Sequence, residues 1–272
     1  MSFDWSFFME RLLFPNEFYL WGLLRTLTIA ILAQLMGIVI GLVVGYGRLS
    51  RFALVRALSG FYVWLLRGIP VLVLLVLLFS GVAAAGLAGF EDIQIGFLEI
   101  PANYQAAVVG LGIHSGAYMA EIVRNGIQSV LPGQIEAAKA LGFTPAQIAR
   151  RVVIPQAVRV IIPPTGNEFN GLIKTTSLVS VIGVQEIFLI SQSVASTTFK
   201  VFEMMIVVSI TYIVLTGLWT LIQGVIEIKI RAFASDTPAF TWRQATVQYF
   251  RLPAKTRMRT QEQRQATDVG RR

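Results

Sequence analysis

The sequence predicts an all-α membrane protein with five transmembrane helices, and three observations lead there. Mean hydropathy is +0.66, with 55% hydrophobic residues against 14% charged, which lies outside the balance of a soluble globular domain. The apolar residues are gathered rather than scattered: residues 26–46, 68–90, 100–120 and 204–226 are free of charge over 21, 23, 21 and 23 positions. About 20 such residues in a helix cross a hydrocarbon core of roughly 30 Å. The connections after the first and second runs carry opposite charge, basic and then acidic, which orients the chain in a bilayer.

Taken in order, residues 1–17 (MSFDWSFFMERLLFPNE) hold three acids against one arginine, the reverse of a basic signal-peptide n-region. With Trp5, Phe7, Phe8 and Phe14 they suit an interfacial helix on the outer face of the membrane. In the first span, Gly37, Gly41 and Gly45 recur at the spacing of a close helix–helix seam. The connection after it carries Arg48, Arg51 and Arg56 with no acid; the connection after the second span carries Glu91, Asp92 and Glu99 with no base. By the positive-inside rule the first is cytoplasmic and the second external, so five spans place the N-terminus outside and the C-terminus in the cytoplasm. Residues 52–66 fit either an amphipathic lead-in on the cytoplasmic surface or the start of a long span kinked at Pro70.

The fourth span, residues 155–188, is apolar on average yet contains Arg159, Glu168, Lys174 and Glu186. Pro163, Pro164 and Gly166 are expected to break it, and interrupted membrane helices are where transport sites are often built. The tail, residues 232–272, reads as basic and disordered: positions 233–272 have eight Lys or Arg against three acids, +5 of the chain's +8. Anionic lipid is a nearer partner for it than nucleic acid.

Composition also excludes chemistry. The absence of cysteine removes disulfides and thiolate metal sites, and the single histidine, His114, makes no zinc site alone. There is no G-x-x-x-x-G-K-[ST] run, H-E-x-x-H, paired-Asp motif or Ser/His/Asp arrangement, so no catalytic residue, metal or bound cofactor is expected.

One segment does not belong to lipid. Residues 133–157, GQIEAAKALGFTPAQIARRVVIPQA, carry four charges between the third and fourth spans, on the cytoplasmic side. Residues 134–141 are Ala-rich and helix-prone, and Gly142 supplies a left-handed stop. Thr144 fits an N-cap, Pro145 the first helical position and Gln147 the capping-box partner. Two short helices result, the second ended by Pro155, with an exposed small-residue face at Ala137, Ala138 and Ala140 that admits a second protein surface. Within the spans, His114, Tyr118 and Glu121 share one face of the third, and Asn167, Asn170 and Lys174 share one face of the fourth. A carboxylate on one face and an ammonium on the other suit the head group of a zwitterionic solute, while pairing of Glu121 with Arg124 and helix-to-helix hydrogen bonding of the asparagines are the structural alternatives.

The hairpin resembles the EAA loop of ABC importer permeases, through Glu136, Ala137, Ala138, Gly142, Ile154 and Pro155. Together with RGIPVLVLL, GAYMAEIVRNGIQSV and KTTSLVSVIGVQEIF, the chain resembles the polar amino acid and opine uptake permeases over residues 18–231. The resemblance implies the type I importer fold, with coupling loop 133–155 docking on a separate cytoplasmic ATPase. It further implies two ATPase subunits that hold ATP and Mg, a second permease chain, identical or sister, an external solute-binding protein, and residence in the inner membrane. Two positions depart from the family pattern: Thr175 stands where Asp is usual, and His114 where Asn is frequent. The competing function is an ion-coupled carrier or channel without an ATPase, which leaves the capped hairpin without a purpose.

Overall fold

The computed structural model describes residues 3–232 apart from Ala88 and Phe97; the basic tail expected to be disordered lies outside them from residue 233 onward. Residues 3–223 form one compact body, and residues 224–232 continue the last helix as the described part of a second unit.

Helix α1 (Trp5–Leu13) starts at Asp4, whose carboxylate accepts from the Phe7 amide at 3.0 Å. Phe7 and Phe8 pack with Ile187, Ala195 and Met204 of α10 (Ile187–Thr198) and α11 (Val201–Ala232). Asp4 also pairs with Lys200 at 2.9 Å, and its amide donates to Glu203 at 2.9 Å. The Phe7 amide, then Lys200, hold the Asp4 carboxyl below its ordinary value of 3.8.

Helix α2 (Glu17–Gly47) runs 31 residues. It begins well before the charge-free stretch because Asn16 caps it, accepting from the Tyr19 amide at 3.0 Å. It lies along α6 (Ala102–Gln128), and the expected glycine seam is the reason the two approach so closely. A Cβ at Gly37, Gly41 or Gly45 would come within 2.8 Å of Ser115 Oγ, 2.3 Å of Met119 Cβ and 2.8 Å of the Ala120 carbonyl respectively.

The second span is broken. Helix α3 (Ala53–Gly68) and the segment Val71–Ala84, made of α4 (Val71–Val76), a π-helical turn and α5 (Val82–Ala84), meet at 104°. Pro70 has no amide to continue the helix and holds Ile69 extended. Tyr62 of α3 donates to the Ile113 carbonyl at 2.6 Å, halfway along α6, so α3 packs on the spanning helix while departing from the following segment at a sharp angle. The connection to α6 holds a short antiparallel hairpin that the all-helical expectation lacks, β1 (Ile93–Ile95) paired with β2 (Leu98–Ile100) around Gly96 at φ 62°.

After α6 come α7 (Pro132–Ala140), α8 (Pro145–Ile148), a π-helical turn at Ala149–Val153 and α9 (Ile154–Thr175). Helix α9 runs antiparallel to α6: Ile161 packs on Gly126, Glu168 faces Ser115, and Gly183 lies by Asn103. Two expectations are corrected here. Pro155 does not end the second hairpin helix; it occupies the first turn of α9, where its missing amide is harmless, and the π turn carries the chain around it. Nor do Pro163, Pro164 and Gly166 break the span, because α9 passes through them to Thr175. The break comes later, where a 3₁₀ turn (Thr176–Ile182) ends at Gly183, φ 78°, and α10 departs at 55°. Glu186, fully buried, caps α10 by accepting from Phe188 and Leu189 amides at 2.9 and 2.8 Å. Among the described residues, α2, α6 and α11 are each long and apolar enough to cross a membrane, and counting each bent pair as one span gives the five expected.

Substituting Gly41→Leu forces α2 off α6 and is expected to cost about 1–3 kcal/mol, whereas Gly217→Leu, with open space at its Cβ, is near neutral. Thermal unfolding of the detergent-solubilised chain separates the two. Because the Asp4 pKa is lowered on folding, its contribution is present above 3.8 and lost as pH falls through the lower folded value. Trp5 fluorescence is therefore expected to report release of α1 in acid, and Asp4→Asn to weaken that transition, with Glu203, whose carboxylate accepts from the Asp4 amide, keeping the remainder.

Candidate functional site

The hairpin forms a built unit rather than a loop. Helix α7 ends in a Schellman turn: the Gly142 amide donates to Lys139 at 2.9 Å and the Phe143 amide to Ala138 at 3.1 Å, with Gly142 at φ 78°. Thr144 and Gln147 then close the capping box, the Thr144 amide donating to Gln147 Oε1 at 2.8 Å and the Gln147 amide to Thr144 Oγ1 at 3.3 Å. Gln156 donates to Gln134 at 2.7 Å, and the Arg151 guanidinium lies 5.8 Å from the Phe143 ring centre, so α7 is strapped to the base of α9.

Of the hairpin residues singled out in sequence, Glu136, Ala137, Gly142, Ile154 and Pro155 are exposed, as is Ala140. Ala138 is not. At 5% exposure it is buried, as is Ile148 at 6%. The expected Ala-Ala surface is therefore narrower, and Leu141, 76% exposed in an otherwise polar segment, joins it. Leu141 does carry a sequence signal, an apolar residue at a helix C-terminus directly before a left-handed glycine.

The polar groups of the spans divide differently from their sequence faces. Glu121 stands apart from His114 and Tyr118: it pairs with Arg48 at 2.6 Å and Arg124 at 3.2 Å, tying α2 to α6 at the hairpin end. His114 and Tyr118 lie with ring centres 5.2 Å apart, and the Arg67 guanidinium lies 5.1 Å from the Tyr118 ring centre. Glu168 faces Ser115 and the Arg67 charge from α9. Arg67 and Glu168 thus belong to this mid-span group although sequence patterning did not assign them; Arg67 sat in an ambiguous segment, and only the 104° kink brings it to the middle of α6.

The other α9 face turns to α11. Asn170 donates to Thr220 at 3.2 Å, and Gln223 donates to Asn167 Oδ1 at 3.3 Å. Lys174 is exposed and has no ion pair among the described residues. Arg67 is likewise exposed. Within a spanning segment a guanidinium or an ammonium exposed in this way requires water or another chain rather than hydrocarbon. No cluster of His, Cys, Asp or Glu suited to a metal is found among the described residues.

A capped hairpin continuous with a spanning helix, beneath a polar mid-span group, defines a membrane permease subunit. The chain belongs to the inner membrane components of binding-protein-dependent transport systems, whose family model matches residues 37–232. It is 38% identical over 213 residues to the arginine transport system permease protein of Corynebacterium glutamicum, covering 75% of this chain and 65% of that one. To the histidine/lysine/arginine/ornithine transport system permease protein of Escherichia coli it is 35% identical over 195 residues, 72% of this chain and 85% of that one. Its fold matches a crystal structure of an amino acid ABC transporter with histidines at TM-score 0.72 and 33% identity, covering 84% and 99% of the two chains.

Ala138→Asp places a carboxylate in the buried seam of the hairpin, at a cost of several kcal/mol, whereas Ala137→Asp points into solvent. Limited proteolysis of the solubilised chain is expected to cut the hairpin of the first variant and spare the second.

Proposed function

We propose that this chain is the membrane subunit of an ATP-driven importer of amino acids or related small polar solutes such as opines, working with a second permease chain, identical or sister, two cytoplasmic ATPase subunits and an external solute-binding protein. ATP and Mg belong to the ATPase subunits, and this chain binds no cofactor. It lies in the inner membrane with its N-terminus outside, α1 along the outer surface, and its C-terminus and hairpin in the cytoplasm. The names of the relatives support the substrate class.

The observation that carries this reading is the joint between hairpin and span. Residues Pro145–Ile182 are helical without a break, so a displacement applied to α7 and α8 reaches the middle of the membrane along one rod. A free loop would absorb that displacement. Glu136, Ala137, Ala140, Leu141 and Gly142 form the face presented to the ATPase, while Ala138 holds the hairpin in shape and Ile154 and Pro155 form the joint. At the other end of the rod, Lys174 and Glu168 of α9, with His114, Tyr118 and Arg67 opposite, line the solute path, while Asn167 and Asn170 hold α9 to α11 beside it. Lys174 and Arg67 suit a carboxylate; Glu168 suits an ammonium group. Glu121 has its carboxylate occupied by two arginines and serves as a strut below the path.

Leu141→Asp and Gly142→Asp test the reading in the assembled importer. Leu141→Asp is expected to cut ATPase co-purification about tenfold, the loss from burying a charge in an apolar contact, without lowering permease yield. Gly142→Asp strains the left-handed position by about 1 kcal/mol or more and is expected to leave hydrolysis running with little uptake. Solute movement by the chain alone in liposomes without ATP would instead establish the carrier reading.

A further inference from the structure

Helix α9 is held unevenly along its length. Pro163 and Pro164 have no amide hydrogens, so the carbonyls of Arg159 and Val160 lack their usual donors four residues on, and two consecutive rungs of the helical ladder are missing. C-terminal of that gap the helix is seated in the core. Leu172 and Ile173 are buried, and Leu172 belongs to a cluster with Ile29 and Ala33 of α2 and Ala107 and Leu111 of α6. Helix α11 fastens the same half: Gln223 donates to the Pro163 carbonyl at 3.1 Å, Trp219 to the Gly166 carbonyl at 2.8 Å, and Asn170 to Thr220 at 3.2 Å.

N-terminal of the gap the burial is different. Of residues 154–162 only Ala157 is buried, while Ile154, Pro155, Val158, Arg159 and Val160 are exposed. This half meets α6 where Ile161 and the Ala157 carbonyl cover Gly126, a contact without a side chain on the α6 side. Its polar bonds run to the hairpin instead, through Gln156 to Gln134 at 2.7 Å and through the Arg151 guanidinium, 5.8 Å from the Phe143 ring centre. At its other end the hairpin joins α6 through residues 129–131, which are not helical. Residues 132–162 therefore form one strapped body, bounded by a short non-helical connection on one side and by the missing rungs on the other.

We propose that Pro163 and Pro164 are a hinge, at which the hairpin and the first half of α9 swing as one body while the second half stays seated with α2, α6 and α11. The inference rests on the hairpin acting as the lever. A helix lacking two rungs still carries a push along its axis but bends readily at the gap, so movement of the hairpin becomes a tilt of residues 154–162 below the solute path. The two prolines are positioning residues for that stroke, and they touch no solute.

The test pins each half of α9 in turn. The chain has no cysteine, so each engineered pair supplies its only thiols. Gly126→Cys with Ile161→Cys, the lower pair, ties the first half to α6; a Cβ built at Gly126 meets Ile161 Cγ1 directly, which brings the two Cβ atoms within the roughly 4 Å of a disulfide. Gly166→Cys with Gln223→Cys, the upper pair, ties the second half to α11; a Cβ at 166 lies 2.8 Å from Gln223 Cγ. Each importer, assembled with its ATPase and solute-binding protein, is reconstituted in liposomes, and uptake of a mixture of radiolabelled amino acids per ATP hydrolysed is measured reduced and oxidised. Loss of maleimide labelling shows that the bond has formed. Oxidation of the lower pair is expected to cut the ratio about tenfold or more, and oxidation of the upper pair to change it by less than about twofold, with reductant reversing both. A third variant, Pro163→Ala with Pro164→Ala, restores both amide donors; it is expected to keep ATPase co-purification and thermal stability, since alanine favours the helix, and to lose about tenfold in uptake per ATP. An upper bond that stops uptake, a lower bond that spares it, or full coupling in the alanine variant overturns the hinge. Failure of the lever shows separately, because Leu141→Asp then leaves ATPase co-purification unchanged in the chain without cysteines, and the hinge loses its premise before any bond is made.

Discussion

In hydrocarbon a backbone amide or carbonyl without a partner costs several kcal/mol, so a spanning helix must satisfy its own ladder or borrow donors from a neighbour. This constraint organises the molecule. Where the ladder is whole, as in α2, α6 and α11, the helices are long and their side chains are free to be small, and glycines let α2 settle on α6. Where proline interrupts it, the outcome depends on position. At Pro70 the chain turns sharply into a new helix; at Pro155 proline takes a first-turn position after a π turn; at Pro163 and Pro164 the helix runs on to Thr175.

The same constraint governs the charges. Glu186 is buried but receives amide hydrogens at the start of α10, which makes it a cap for the bend at Gly183. Glu121 is neutralised by two arginines. Arg67 and Lys174 are different, since they stand exposed at mid-span. A protein that left them against lipid would pay more than its marginal stability allows, so the surface that carries them is turned to water or to another subunit. Paired and unpaired charges are thus distinguished by what surrounds them, which their sequence neighbours do not reveal.

Hairpin and spans form one mechanical unit. The capping box and the Schellman turn fix the angle between α7 and α8 with local hydrogen bonds, and Ala138 and Ile148 are buried. What remains exposed, Glu136, Ala137, Ala140 and Leu141, is a small, rigid, mixed surface. Such a surface binds a groove without first having to be ordered, so little of the binding energy is lost to entropy.

Much of this was legible in the residues alone. Five spans follow from runs without charge, the α2 seam from glycines four apart, and the hairpin caps from Gly142, Thr144, Pro145 and Gln147, because all are local rules acting within one helix or turn. The short strand pair was missed because Ile93–Ile100 is too brief to outweigh its apolar surroundings. Tertiary structure alone decided which side of the hairpin Ala138 faces, that Glu121 leaves the group of His114 and Tyr118, that Arg67 and Glu168 join it, and that α9 survives two prolines. The regrouping of the charges depends on partners far away in the chain, Arg48 for Glu121 and Tyr118 for Arg67, and helical periodicity gives a residue's direction without saying what stands opposite.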